Sequence, residues 1–247
     1  MAAAREADAV HRRASVSDTP QLSVVLPVFN EAENIESVLR GLERNVHTPH
    51  EIIVVYDFDE DTTLPVIRRL ALPNVRLQRN TLGRGVLNAM RTGMRVARGD
   101  FILISMSDGS DEPAAVDRMV ALARAGADVV AASRYMPGGR QIGGPPLKMV
   151  LSRLAGLSLH HFAGLPIHDA TSNFRLYRRA FLDGVEIESQ AGFELALELT
   201  VKAHRAGRRI AEVPTVWRER SSGTSHFQLR RWLPHYVRWY IRAFARG

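Results

Sequence analysis

An acidic cluster follows a short apolar run in the middle of the chain, and its residue types suit the binding of a cation. Residues 101–104 are all apolar, and Asp108, Asp111 and Glu112 come soon after them. Short, continuous apolar runs are typical of buried strands in parallel sheets, and such sheets bind ligands beyond the carboxyl ends of their strands. Hard divalent cations prefer carboxylate oxygens as ligands. The pattern therefore predicts a site for a divalent cation that in turn binds the phosphate groups of a ligand. A strand followed by an acidic helix N-terminus is the alternative.

The elements around this cluster alternate regularly between strand and helix. Predicted strands cover residues 22–26, 51–56, 75–78, 101–104 and 128–132, and predicted helices cover 31–42, 63–72, 85–97 and 113–125. This order predicts an α/β fold with a mostly parallel central sheet. Asn30, Glu31, Asp57 and Asp108 follow strand ends, so we expect them along one edge of the sheet. Solvated turns would also use these residue types.

Composition restricts the class of protein. The chain has 247 residues, of which 45% are hydrophobic, so it can form one sizeable domain, or a domain with an appendage. It contains no apolar run of about 18 residues and no apolar core of a secretory signal, and we therefore expect no membrane span. The absence of cysteine excludes disulfides and thiolate chemistry. Neither the dinucleotide motif nor the P-loop motif is present, which argues against a dehydrogenase and an NTPase.

The net charge of +7 suits nucleic acid, anionic lipid or a phosphorylated substrate as a partner. We do not expect nucleic acid, because acidic strand ends would repel a phosphate backbone. Residues 1–20 are polar and rich in alanine, and we predict a mobile tail there. Residues 228–247 are predicted to form a basic amphipathic helix, whose basic side consists of Arg231, His235, Arg238, Arg242 and Arg246, with Trp232 and Trp239 at the flank. Such a helix suits a membrane interface, and docking on its own domain is the alternative.

Four separated segments resemble one known family. They are VVLPVFNEAENI, SRYMPGG, DATSNFRLYRR and AEVPTVWRERSSGTSHF, and they span about residues 21–227. Together they resemble family 2 glycosyltransferases, in particular the polyprenyl-phosphate (dolichyl-phosphate) mannosyl- and glucosyltransferases. The resemblance implies a three-layer, Rossmann-like GT-A domain over residues 21–227. It also implies inverting transfer of a hexose from a GDP- or UDP-linked donor to a polyprenyl phosphate, on the cytoplasmic side, with peripheral attachment to the membrane through the C-terminal helix.

The resemblance also implies roles for individual residues. The donor site would consist of Pro27, Phe29, Asn30, Glu31, Asp57 and Asp108, with Asp57 near the base and Asp108 near the diphosphate. The catalytic residues would be Asp108, Arg134 and Arg220. The acceptor phosphate would be held by Lys148, Ser152 and Arg134. An arginine fork suits phosphate oxygens because it can donate two parallel hydrogen bonds. His226 stands where family members often have lysine and is a candidate for a diphosphate contact.

Two positions depart from the family pattern. Tyr56 replaces the first of two adjacent aspartates, and Met106 replaces the first aspartate of the Asp-x-Asp metal motif. A thioether is a poor ligand for Mg²⁺ or Mn²⁺, so Asp108, with Ser110, is the remaining candidate metal site. The sequence leaves open whether a metal is required or whether basic residues neutralise the diphosphate. It also leaves open a non-catalytic subunit that only binds the nucleotide sugar.

The chemistry of the acceptor decides whether a protein base is needed. A phosphate acceptor is already ionised near neutral pH, since its second pKa is ~6, and it needs no strong base. A sugar hydroxyl, the alternative acceptor, would require a carboxylate base, for which Asp169 and Glu194 are candidates.

Overall fold

A seven-stranded sheet forms the centre of the protein. The computed structural model describes residues 19–220 and 229–245, and nearly all of the predicted N-terminal tail lies outside that part. The strands are β1 (Leu22–Pro27), β2 (His50–Tyr56), β3 (Val75–Arg79), β4 (Phe101–Ile104), β5 (Val129–Ser133), β6 (Arg140–Ile142), β7 (Arg175–Arg178), β8 (Ile210–Pro214) and β9 (Val216–Arg218). The order in the main sheet is β3-β2-β1-β4-β7-β5-β8, and β6 pairs with β9 in a separate ribbon.

Helices cover both faces of the sheet. They are α1 (Ile35–Asn45), α2 (Thr63–Leu70), α3 (Val86–Val96), α4 (Val116–Arg124), α5 (Pro146–Ala163), α6 (Arg179–Asp183), α7 (Leu195–Arg205) and α8 (Leu229–Phe244). In β1, Val24 and Leu26 pack in the cluster under α1 and α4, whereas Val25 packs in the cluster under α3 and α7. Because strand side chains alternate between faces, a strand buried on both sides has to be apolar at every position. The predicted three-layer α/β architecture is therefore confirmed.

One strand of the main sheet runs against the others. β7 is antiparallel to both β4 and β5, while the remaining pairs are parallel. The amino end of β7 therefore lies at the same edge as the carboxyl ends of its neighbours. This brings residues 169–174 beside the ends of β4 and β5.

The first helix begins later than its sequence pattern predicts. The prediction started it after Asn30, but α1 starts at Ile35. Asn30 has a left-handed backbone with φ of 56°, which asparagine tolerates better than most residues. The N–H of Asn30 instead donates to Asp61, in the loop after β2, and the N–H of Glu31 donates to Thr63, the first residue of α2. The segment is held by tertiary contacts rather than by a helix.

A third apolar cluster joins α5, α7 and the C-terminal helix α8. Leu159, Leu197 and Val201 pack there with Trp239, which is only 2% exposed. The other side of α8 leaves Leu233, Val237, Ile241 and Phe244 exposed. Helix α8 thus has one face docked on its own domain and one apolar face open. Within the described residues, no helix is both long and apolar enough to cross a bilayer.

Gly156 allows α5 to lie against the segment that precedes β7. A Cβ atom at this position would stand 2.2 Å from the carbonyl oxygen of His168. We therefore expect Gly156→Ala to lower the free energy of unfolding by about 1–3 kcal/mol, since backbone must move to remove the overlap. Chemical denaturation would measure the loss.

Gly184→Ala is the matched control for this variant. A Cβ atom there would meet its nearest neighbours at 3.8 Å, which is ordinary contact. We expect this variant to stay within about 0.5 kcal/mol of the parent protein. Equal stability of the two variants would show that the close approach of α5 is not required.

Candidate active site

The candidate site lies along the edge of the sheet where the parallel strands end. The loops after β1, β2, β4, β5 and β8 all emerge at this edge, as the parallel register requires. In the described part of the chain, every one of the predicted donor and acceptor residues lies at this edge or at the start of α5. Strand β9 of the separate ribbon also reaches this edge, because the N–H of Arg218 donates to the carbonyl of Ser110, in the loop after β4, at 3.1 Å.

A buried aspartate fixes the loop after β1. Asp61, only 1% exposed, accepts bonds from the N–H groups of Asn30 at 3.1 Å and of Thr63 at 2.8 Å. The side chain of Asn30 in turn accepts a bond from the N–H of Thr62 at 3.1 Å. Asn30 therefore acts as a structural link between two loops. Asp61 was not among the predicted site residues, and its role in holding the loop was missed.

Asp57 lies in a second small network at the end of β2. Its carboxylate accepts bonds from Asn80 Nδ2 and from the N–H of Gly85, both at 2.8 Å. Phe29, half-exposed, meets Phe58 edge-on with ring centroids 5.6 Å apart. Asn80, which also bonds to the carbonyl of Gly83, was not found from the sequence.

The turn after β4 presents a single aspartate to the site. Ser107 Oγ donates to the carbonyl of Pro27 at 2.8 Å, which ties the turn to the end of β1. Asp108 is partly exposed, and its Oδ1 accepts a bond from the N–H of Ser110 at 3.0 Å. Ser110 itself is buried. Asp108 is therefore the carboxylate of this turn that faces outward.

Asp111 and Met106, also partly exposed, have side chains that are engaged within the fold. The Asp111 carboxylate accepts bonds from Ser105 Oγ at 3.0 Å and from the N–H of Met106 at 2.8 Å. Burial raises the pKa of Asp111 to about 7, and the nearby charge of Asp108 adds to the effect. The side chain of Met106 packs against the core cluster that contains α3 and α7. Neither residue presents a ligand to the site.

This arrangement fits a metal held mainly by the substrate. Within the described ranges, no three carboxylate, histidine or cysteine side chains converge as a metal site would require. Mg²⁺ commonly uses one or two protein carboxylates and completes its shell with phosphate oxygens and water. Asp108 can supply one such carboxylate, which is compatible with a metal that arrives with a diphosphate.

Arg134 is held by a buried carboxylate. Its Nε lies 2.6 Å from Asp169 Oδ2 and its Nη2 lies 2.9 Å from Asp169 Oδ1, a bidentate pair. Asp169 is fully buried, and the Arg134 side chain is 11% exposed. Burial alone would lower the pKa of Arg134, but the charge of Asp169 outweighs it and raises the pKa above its usual value. Arg134 therefore remains a fixed cation at the end of β5.

Lys148 brings a second cation to the same place from the first turn of α5. Burial and the charge of Arg134 lower the pKa of Lys148, while Asp108 and Glu219 act in the opposite direction. Charges from three separate loops thus meet around this ammonium group. Because the first N–H groups of a helix have no intrahelical partner, the start of α5 also favours an anion.

Tyr135 and Ser152 complete this corner of the site. The Tyr135 hydroxyl bonds to Ser152 Oγ and donates to Gln141 Oε1 at 3.0 Å. The Arg134 guanidinium lies 4.8 Å from the centre of the Tyr135 ring. Ser152 was predicted from the sequence, but Tyr135 was not, although it follows Arg134 directly in the SRYMPGG segment. Its position in that segment was the only available signal.

Arg220 makes an ion pair with Glu31. Its Nη2 lies 2.7 Å from Oε1 and 2.8 Å from Oε2 of the carboxylate. A predicted donor-site residue and a predicted catalytic residue therefore contact each other. His226 lies outside the described residues, as do Arg246 and the side chains of Arg231 and Trp232.

The two candidate carboxylate bases have structural roles. Asp169 is occupied by Arg134, and it also accepts bonds from the N–H groups of Thr171 and Ser172. Glu194 is 1% exposed and accepts bonds from the N–H groups of residues 190, 191 and 192. Neither carboxylate is available to remove a proton from a substrate.

Comparison with known proteins identifies the family of this fold. The family model described as glycosyl transferase family 2 matches residues 23–185. Polyprenol monophosphomannose synthase from Mycolicibacterium smegmatis is 32% identical over 231 residues, covering 90% of this chain and 86% of the relative. Undecaprenyl-phosphate mannosyltransferase from Micrococcus luteus is 30% identical over 208 residues, covering 81% of this chain and 85% of the relative.

A solved structure supports the same conclusion for the fold. Glucosyl-3-phosphoglycerate synthase from Mycobacterium tuberculosis, in complex with Mn²⁺, UDP and glucosyl-3-phosphoglycerate, is similar with a TM-score of 0.67. The match covers 92% of this chain and 80% of that chain at 19% identity. The GT-A fold predicted from the sequence is thereby confirmed. Since the family model matches more than half of its length, this chain belongs to glycosyltransferase family 2 and is a glycosyltransferase.

Proposed function

We propose that this glycosyltransferase moves a hexose, with inversion, from a nucleotide-diphosphate sugar to a polyprenyl phosphate, and that the hexose is mannose. The two relatives named above are mannosyltransferases or synthases whose acceptors carry a polyprenyl chain. Similarity at about 30% identity supports the reaction class. The geometry around Lys148, Ser152 and Tyr135 supports the type of acceptor.

The observation that carries this proposal is the junction between charge and apolar surface at α5. Lys148, Ser152 and Tyr135 form a cationic, hydroxyl-bearing corner beside Arg134. On the same helix, Leu147, Val150, Leu151 and Leu154 are exposed. An acceptor that combines a phosphate with a long apolar chain fits both surfaces at once. A free sugar would leave the apolar surface unused.

In this mechanism the protein aligns the substrates and stabilises charge. The acceptor phosphate oxygen attacks the anomeric carbon as the bond to the diphosphate breaks, which inverts the configuration. No general base is required, in agreement with the occupied state of Asp169 and Glu194. Lys148, with the start of α5, would hold the acceptor phosphate, and alignment of this kind removes much of the entropic barrier.

The leaving diphosphate needs compensating positive charge. Arg134 is a fixed donor at this edge, and preorganised donors are effective because they need no reorganisation during the reaction. Arg220 is the second guanidinium there. A divalent metal, when bound at Asp108, would supply further charge neutralisation to the diphosphate. Glu31 would release Arg220 as the diphosphate arrives, since both anions compete for the same guanidinium.

Two helices offer a surface for the membrane that would contain such an acceptor. α5 and α8 lie side by side, with Ser158 Oγ 2.9 Å from the Tyr240 hydroxyl. Phe162 on α5 is 80% exposed, and Ile241 on α8 is also exposed. We propose that this apolar surface rests in the membrane interface and leads the acceptor phosphate to Lys148.

Transfer of labelled sugar into an organic phase tests the proposed reaction. The protein is incubated with labelled GDP-mannose, UDP-glucose or UDP-GlcNAc and a polyprenyl phosphate, with Mn²⁺ or with EDTA. We expect label in the organic phase with GDP-mannose, and a reduced rate with EDTA because Asp108 and the diphosphate suffice to hold a metal. Absence of label with every donor would overturn the proposed acceptor, and full activity in EDTA would overturn the metal site.

Removal of the charge on Asp108 should affect transfer but not folding. In Asp108→Asn the remaining oxygen can still accept the bond from the N–H of Ser110, so we expect an unchanged melting temperature. Loss of the carboxylate should lower kcat/KM by about 10²-fold, a magnitude typical for one electrostatic contact in a transition state. Asp59→Asn is the control, since Asp59 also follows a strand of the main sheet, β2, but is exposed and pairs with Arg79. Similar activity of the two variants would contradict the role of Asp108.

Polar substitutions on the apolar surface should affect only membrane-bound acceptors. For Leu154→Gln combined with Ile241→Gln, we expect vesicle binding at least tenfold weaker, because about 1.5–3 kcal/mol is gained by burying each such side chain. Transfer to polyprenyl phosphate in vesicles should fall in parallel. Transfer to a water-soluble, short-chain isoprenoid phosphate should stay at the parent rate. Unchanged flotation with vesicles would refute the membrane-facing surface.

A further inference from the structure

A second group of cations lies far from the candidate active site, in a cleft between α7 and α8. The cleft has a volume of about 380 Å³, and its lining includes Lys202, Arg205, Trp239 and Arg242. Arg205 is the last residue of α7, and β8 follows it in the chain. The carboxyl end of β8 lies at the edge of the sheet that holds the candidate active site. Because β8 spans about 15 Å, the cleft lies at the opposite edge of the sheet. It is therefore separate from the donor and acceptor sites.

The cations converge on one indole ring. Arg242 Cζ lies 4.7 Å from the centre of the Trp239 ring, and Lys202 Nζ lies 5.1 Å from it. Arg238 Cζ approaches the same ring at 5.5 Å. The indole is buried in the third apolar cluster and gives the cleft a rigid floor. The electrostatic attraction of an aromatic face for a cation helps to hold these side chains in a defined arrangement.

One carboxylate serves several of these cations. Glu188 Oε2 lies 2.7 Å from Arg238 and 2.8 Å from Arg242, and Glu188 Oε1 lies 2.9 Å from Lys202. Hydrogen bonds from Lys202 and Arg242 lower the pKa of Glu188 to about 2, in keeping with a strongly positive surrounding. Glu198, the other carboxylate, also bonds to two backbone N–H groups. Arg205 is exposed and forms no ion pair within the described residues.

We propose that this cleft binds the phosphate group of an anionic ligand, with Arg205 and Arg242 as its principal donors and Glu188 as an internal competitor for them. Four cations face two carboxylates, so the cleft carries surplus positive charge. Arginine suits the role because its planar fork donates to two phosphate oxygens. The phosphate could belong to a lipid headgroup or to a soluble phosphate ester. Binding of a lipid headgroup rests on the proposed function, because α8 would then lie in the membrane interface and hold the cleft at the level of the headgroups. Binding of a soluble phosphate ester does not rest on it.

Variants with opposite expected effects test this site. Binding of glycerol phosphate to the full chain is measured by calorimetry, and binding to vesicles of phosphatidylglycerol or phosphatidylcholine by flotation. Arg205→Gln should weaken binding of the phosphate probe about tenfold, the typical value of a bond to a charged group. Glu188→Gln should strengthen it, since the competing carboxylate is gone. If the cluster only stabilised the fold, the two substitutions would not change phosphate binding in opposite directions.

Arg95→Gln is the matched control, because Arg95 is likewise exposed in the last turn of a helix and forms no ion pair within the described residues. It should leave both measurements unchanged. Dependence on Arg205 with phosphatidylglycerol vesicles alone would assign a headgroup, and dependence with glycerol phosphate alone would assign a soluble ester. Equal binding by Arg205→Gln, Arg95→Gln and the parent chain in both assays would overturn the site. Transfer to a water-soluble acceptor, measured in parallel, separates this outcome from failure of the proposed function.

Discussion

A buried chain of charges connects the interior of the protein to its candidate active site. Arg175 is fully buried in β7 and donates to the backbone carbonyl of Asp169 at 2.7 Å and to that of Ala196 at 2.8 Å. The Asp169 carboxylate then holds Arg134. Breaking a buried ion pair of this kind costs about 3–5 kcal/mol, because one charge is then left away from water without its partner. The orientation of Arg134 is consequently fixed by the fold before any substrate binds.

The antiparallel strand explains how this chain of charges can form. If β7 were parallel to its neighbours, Asp169 would lie at the opposite edge of the sheet, far from Arg134. Its reversed direction brings the turn before β7 to the ends of β4 and β5. Gly156 then lets α5 approach the same turn, so that the helix carrying Lys148 starts beside Arg134. The direction of β7, Gly156 and the buried ion pair of Asp169 and Arg134 together determine how Lys148 is placed beside Arg134.

Much of the fold could be predicted because it depends on local pattern. Strands β1, β2 and β4 are apolar at nearly every position, and the helices between them show regular apolar spacing, so their type and order were predicted correctly. The later start of α1 was not predictable, because the N–H groups of Asn30 and Glu31 bond to Asp61 and Thr63, which lie beyond the next strand. The family motif singled out Asp108, but residue type alone does not distinguish it from Asp111, whose carboxylate is engaged within the turn. That difference depends on which carboxylate meets the N–H of Met106.

The location of charge partners was also beyond the sequence. Arg134 and Arg220 were predicted as phosphate ligands, and both lie at the expected edge, but each has a carboxylate partner that no pattern indicated. Asp169 was considered as a base, and its burial shows instead that it orients Arg134. Long-range pairs of this kind depend on the packing of whole elements, whereas a motif specifies only residue types and their spacing.

The docking of α8 has a consequence for how the chain can be divided. Trp239 and Ala243 belong to the same apolar cluster as Leu159 of α5 and Leu197 of α7. A shortened chain that ends before α8 would expose that cluster to water and would loosen α5, the helix that carries Lys148. Loss of activity in such a chain would therefore report damage to the interior of the enzyme as much as loss of the proposed contact with a membrane. The two effects can be separated only by substitutions confined to the outer face of the helix.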